Sequence, residues 1–147
     1  MKKAVKMNKD EIVELIKGER SAVETYRQVF EKYASDAMLD ELRGFSAQHK
    51  KATRFLLDEA NSFGIETPES SGAWGSWAKA VTGTAKIFGK EAALKALKEG
   101  EEHGLKQYES VAKNDETPES IKKQIRNEFI PNQKRHIERI DSLITRI

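Results

Sequence analysis

The sequence predicts an all-α protein, a bundle of four long helices with a long crossover between the second and the third. Three observations carry this. Apolar residues recur at three- and four-residue intervals along four segments, the period of an amphipathic helix. Charged residues make up 34% of the chain against 37% hydrophobic ones, a balance suited to helices that each bury one stripe and expose the rest. Only three prolines and nine glycines punctuate the 147 residues, so the periodic segments run long. A chain of this length buries about 70% of its unfolded surface and supports one core without staples, so residues 1–147 are expected to form a single domain.

The first helix is expected over about 8–33. Asn8, Lys9, Asp10 and Glu11 have the form of a capping box, and the stripe behind them is Ile12, Leu15, Ile16, Val23, Tyr26, Phe30 and Tyr33. A short link, Ala34 to Ala37, forces the second helix, about 37–63, to return antiparallel. Its stripe is Leu39, Leu42, Phe45, Ala52, Leu56, Ala60 and Phe63, and Gly64 ends it. Residues 64–88 carry Ser70-Ser71-Gly72, Gly75 and Thr82-Gly83-Thr84, too broken for one long helix. They are enough to run back along the bundle, which makes the second and third helices parallel. Trp74, Trp77 and Val81 would line a short piece sealing that crossover. The third helix, about 89–113, shows Leu94, Leu97, Leu105, Tyr108 and Val111. After a turn at 114–118, with Thr117 as N-cap and Pro118 in the first turn, the fourth runs over about 118–146 on Ile121, Ile125, Phe129, Ile140, Leu143 and Ile147. Pro131 lies inside it and predicts a kink or break near Ile130.

Several function classes drop out. Without cysteine there is no disulfide framework, thiolate ligand or cysteine nucleophile. No run of about 18 apolar residues occurs and no apolar segment follows the basic N-terminus, so no membrane partner and a cytoplasmic address are expected. The net charge of +2 is the remainder of 26 basic and 24 acidic residues interleaved along the chain, which gives no footprint for nucleic acid. Clusters such as Lys50-Lys51-Arg54 and Lys134-Arg135-Arg139 read as solvated helix faces.

The pattern that carries chemistry is an internal echo. Gly18-Glu19 precedes Tyr26 on the first helix as Gly100-Glu101 precedes Tyr108 on the third. Each Glu lies seven residues from its Tyr, on the same apolar face, and acids are almost never buried without partners. His49 on the second helix and His136 on the fourth are the candidates. Counted from the first turn, Glu19 and His49 fall within about 3 Å in height at 1.5 Å per residue. In the second half Glu101 faces Glu128 or Asn132 more nearly, and His136 stands about a turn too far unless the Pro131 kink or a shifted turn corrects it. His103 points away from the stripe. Two Glu and two His suit one Fe, Mn or Zn ion per chain, with Glu19, His49, Glu101 and His136 as ligands and Glu128 and Gln133 in a second tier. A dinuclear carboxylate site would need Glu-x-x-His on two helices, and this chain reads Ser46-x-x-His49 and Gln133-x-x-His136, so the bridging carboxylates are absent. The competing reading is a polar core without metal, each Glu bonded to a Tyr or a base.

Gly100-Glu101-Glu102 with Tyr108, Trp77 with Thr82-Gly83, Ser46-Ala47-Gln48, and Gln133 with His136 together resemble an uncharacterised family of bacterial ferritin-like four-helix-bundle proteins. The resemblance spans nearly the whole chain and implies the ferritin-like bundle and descent from metal binders, with no activity to lend. Two positions depart from its pattern: a basic residue is usual at His49, and a His often stands where this chain has Trp74. Three functions compete on these grounds: an ion-binding protein in storage, sensing or stress protection, a metal-free interaction module forming a homodimer, and a di-iron-type oxidase. The last lacks its bridging acids.

Overall fold

The computed structural model describes residues 2–37, 39–67 and 89–147, with side chains described from residue 9 onward apart from these gaps. Among the described residues, five α segments form four rods: α1 (Lys2–Lys32), α2 (Leu39–Ser62), α3 (Lys90–Lys113), and a fourth rod made of α4 (Glu119–Gln124), a π-helical turn (Ile125–Phe129) and α5 (Ile130–Thr145). The expectations for Trp74, Trp77 and Val81 fall outside the described residues. No described helix is long and apolar enough to cross a membrane.

Contacts between rods fix their directions. Glu11 meets Asn114, Glu19 meets Tyr108 and Tyr26 meets Glu101, so α1 and α3 run antiparallel. Lys98 on α3 meets Asp141 and the Glu101 backbone meets Gln133, so α3 and α5 are antiparallel too. Lys90, at the start of α3, pairs at 2.7 Å with Asp36 in the turn between α1 and α2, the end opposite the last residues of α2. Helices α2 and α3 are therefore parallel, and the segment joining them has to cover the length of α2, about 36 Å for 24 residues. This is the long crossover that the sequence predicts.

Local chemistry explains most of the ends and corrects three of them. Gly64, at φ 72°, closes α2 as expected: Ile65 N–H reaches the Ala60 carbonyl and Gly64 N–H that of Asn61, a paired closure that needs the left-handed backbone glycine tolerates. Helix α1 opens at Lys2, ahead of the expected cap, and Glu11 accepts from Asn114 Nδ2 at 2.5 Å. Thr117 does not cap the fourth rod. Its hydroxyl donates to the Val111 carbonyl at 2.7 Å and hooks the turn onto the end of α3. Pro131 acts where expected but produces a widened turn, with Ile130 N–H bonded to the Ile125 carbonyl; the π turn takes up the bond proline cannot make, and the rod continues.

The core is split. One apolar cluster joins Ile12, Ile16, Leu56, Ile121, Ile125 and Phe129, and a second joins Val29, Leu39, Leu42, Leu94, Leu97 and Ile140. Between them lie buried Glu19, Ser46, His49, Glu101, Gln133 and His136. The expected stripes hold with six exceptions: Val23, Phe30, Tyr33, Phe63 and Leu105 are only partly buried, and Ile147 is 56% exposed.

Candidate metal centre

The polar layer draws one residue from each rod: Glu19 from α1, His49 from α2, Glu101 from α3 and His136 from α5, each at most 5% exposed. The repeated Gly-Glu and Tyr pattern accounts for half of it. Because α1 and α3 are antiparallel, each tyrosine lands on the carboxylate of the other helix: Tyr26 donates to Glu101 Oε2 at 2.6 Å, and Tyr108 donates to Glu19 Oε2. Burial, then the neighbouring Glu101 and Glu19 charges, raise both phenols well above their ordinary range, so they remain donors.

His49 lies between the two acids. Its Nδ1 is 2.6 Å from Glu19 Oε1 and its Nε2 is 2.6 Å from Glu101 Oε2. Carboxylates only accept, so each nitrogen carries a proton and the ring is an imidazolium. Burial opposes that charge, but Glu101 and then Glu19 outweigh it and raise the His49 pKa well above 6.5. Burial likewise works against the Glu101 charge; the His49 cation and the His136 hydrogen bond overcome it and hold the carboxyl at about 2.

His136 stacks on Phe45, ring centroids 4.3 Å apart, and its Nε2 donates to Gln48 Oε1 at 2.5 Å. Its Nδ1 then faces both oxygens of Glu101 at 3.2 Å. An imidazole lone pair and a carboxylate repel at that distance, so a proton or a cation has to lie between them. The same holds at His49 Nε2. Ligand atoms of His49, Glu101 and His136 lie within 4.8 Å of one another, and these three could hold one metal ion.

The four expected ligands thus divide three to one. Glu19 lies on the far nitrogen of His49, where it orients the ring, and Gln48 does the same for His136; carboxylates and carbonyls in these positions fix the tautomer of a metal-bound histidine. In the sequence Gln48, which directly precedes His49, carries only the family resemblance and is not predicted as a site residue. Of the second tier, Gln133 enters the layer through its Nε2, which donates to the Glu101 carbonyl at 3.0 Å. Glu128 does not. It pairs with Lys51 at 2.9 Å and accepts from Gln124, because the π turn swings it toward the outer face of α2. His103 is exposed, as expected.

A cavity of about 40 Å³ between α1 and α3 reaches the layer past Gly18, Ala22 and Gly104 and touches Glu19, Glu101 and His49. It has room for roughly three waters at about 10–15 Å³ each.

Comparison with known proteins gives a family and no activity. No curated protein matches the chain. No solved structure matches it either. One family model covers residues 7–114, which include Glu19, His49 and Glu101 but not His136. The chain belongs to that family, the domain of unknown function DUF2383.

Proposed function

We propose that this protein binds one divalent transition-metal ion, Fe²⁺, Mn²⁺ or Zn²⁺, at mid-height in its bundle, through His49 Nε2, His136 Nδ1 and the Glu101 carboxylate. The observation that carries this reading is the pairing of each imidazole's outer nitrogen with a fixed acceptor, Glu19 for His49 and Gln48 for His136, so that both inner nitrogens converge on one acid. Two imidazoles and a carboxylate suit all three ions and leave a coordination position open. Ligand atoms about 2.1 Å from a tetrahedral ion lie about 3.4 Å apart. The 3.2 Å from His136 Nδ1 to Glu101 is already close to that, and the 2.6 Å from His49 Nε2 has to open by less than about 1 Å. The cavity between α1 and α3 touches Glu101 and His49 and leaves room for water beside the proposed ion. With Ser46 and Gln133 in place of bridging carboxylates, the site holds one ion, and its role is to keep that ion, in storage, sensing or stress protection.

The 2.6 Å contact favours a second reading, a metal-free layer in which protonated His49 ties two acids together. One substitution separates the two. His49→Lys places a permanent cation between Glu19 and Glu101, which preserves the layer without offering a neutral nitrogen ligand. Elemental analysis of protein purified without tag or chelator, then reconstituted with each ion, is expected to give about one metal per chain, lost in His49→Lys while the fold stays intact. Less than about a tenth of an ion per chain under all three metals, with His49→Lys as stable as the parent, overturns the metal reading and establishes the ion-pair layer.

A further inference from the structure

Away from the polar layer, α1 and α2 frame a groove of about 400 Å³ on the outer surface. Its walls follow helical spacing: Arg20, Val23 and Glu24 from α1, and Lys50, Thr53, Arg54 and Leu57 from α2. Three cations converge on it. The only acid among its described residues, Glu24, is already held by Arg27 through two bonds of 2.9 and 2.6 Å and by Gln28 at 3.1 Å.

Some cations elsewhere on the molecule are matched. Arg27, Lys51, Lys98 and Arg139 each face a carboxylate within 3 Å. Among the described residues, Arg20, Lys50 and Arg54 make no ion pair and no hydrogen bond, and Arg20 Nε is buried with no acceptor. A guanidinium edge is shaped to give two parallel bonds to an oxyanion. The groove's volume is that of a small-molecule site, and the partly buried Val23 and Leu57 give it an apolar floor.

We infer that this groove binds a small soluble ligand carrying a phosphate or diphosphate group, with the phosphate oxygens accepting from the guanidinium groups of Arg20 and Arg54, and Lys50 supplying a third positive charge. Lys50 directly follows His49, so the same turn of α2 that carries a candidate ligand inward presents this cation outward. The inference does not depend on the metal reading.

Calorimetric titration of the full chain with inorganic pyrophosphate, at constant ionic strength set with chloride, tests it. One saturable site per chain is expected, weakened at least about tenfold by Arg20→Gln and also weakened by Lys50→Gln, and unchanged by Lys95→Gln, whose lysine pairs with Glu91 on α3. Lys50 is exposed, so its variant folds whatever Arg20→Gln does to stability. Absence of saturable heat, or equal weakening in all three variants, overturns the inference and leaves only charge screening.

Discussion

Glu19 and Glu101 stand in the same sequence context, a glycine before each and a tyrosine seven residues on, yet their surroundings differ. Glu19 takes one imidazole and one phenol. Glu101 takes two imidazoles and one phenol and has its own backbone carbonyl held by Gln133. The cause is register. His49 follows Glu19 by 30 residues, whereas His136 follows Glu101 by 35, along a rod that winds in a π turn before Pro131. A repeated motif therefore places two acids at one height, and the partner helices decide which becomes the hub.

The largest expected effect is a difference between alanine variants of the two acids. Glu101→Ala removes a ligand and strands the His49 charge along with a phenol, so it should abolish metal uptake and cost about 3–5 kcal/mol of ion-free stability. Glu19→Ala removes only the support of His49 Nδ1, and metal affinity should fall by about 10–100-fold with binding retained. Metal titration and urea unfolding of both variants read these outcomes. Equal loss of binding in the two would break the comparison and make Glu19 a ligand.

A pH profile sharpens the same contrast at intermediate size. The Glu101 pKa is lowered, so its contribution is present above about 4.5 and is lost as pH falls toward about 2. The His49 pKa is raised, so its contribution is complete below about 6.5 and is lost as pH rises toward the folded value. Ion-free protein should thus be most stable between about pH 4.5 and 6.5 and weaken on the alkaline side. In His49→Lys that alkaline limb should move up toward the lysine range, near 10.4. A bound ion replaces the proton, so metal-loaded protein should hold its stability through pH 8. Thermal unfolding followed from pH 4 to 9 tests all three curves; an alkaline limb unchanged in His49→Lys would remove His49 as its source.

Much of this was legible in the sequence because it rests on periodicity. The four stripes, the closure at Gly64, the parallel α2 and α3 and the meeting of Glu19 with His49 all follow from spacing along single helices and one short turn. What was not legible depends on how two rods slide. Helix counting left His136 a turn from Glu101, because it assumed a regular helix where Pro131 imposes a π turn and a simple cap where Thr117 hooks onto Val111. The same slip brought Glu128 toward the site, although it pairs with Lys51 on the outside. Gln48 was not legible as a site residue for a different reason: a glutamine beside a histidine gains meaning only when a second histidine, 88 residues on, reaches its oxygen.

The smallest effect lies in how closely the two halves are packed. At the position of Ser46 in the first Ser-x-x-His the second half has the larger Gln133, and at the position of Ala22, three residues after Glu19, it has Gly104 after Glu101. A Cβ built on Gly104 would stand 2.8 Å from Gln133 Nε2, closer than real contacts allow. The clash is with the end of a flexible side chain, so Gly104→Ala should fold, gaining up to about 1 kcal/mol of helix propensity. It should give that back by displacing the bond from Gln133 to the Glu101 carbonyl, a loss of about 1 kcal/mol. The net change in urea unfolding is then near zero, but Glu101 loses its backbone support and metal affinity should fall a few-fold. Gly104→Ala combined with Gln133→Ser recreates the first half's pairing of Ala22 with Ser46. If affinity returns in that double variant, Gly104 is present to seat Gln133; if it falls further, Gln133 itself holds Glu101 in place, and the glycine matters only as the space it requires.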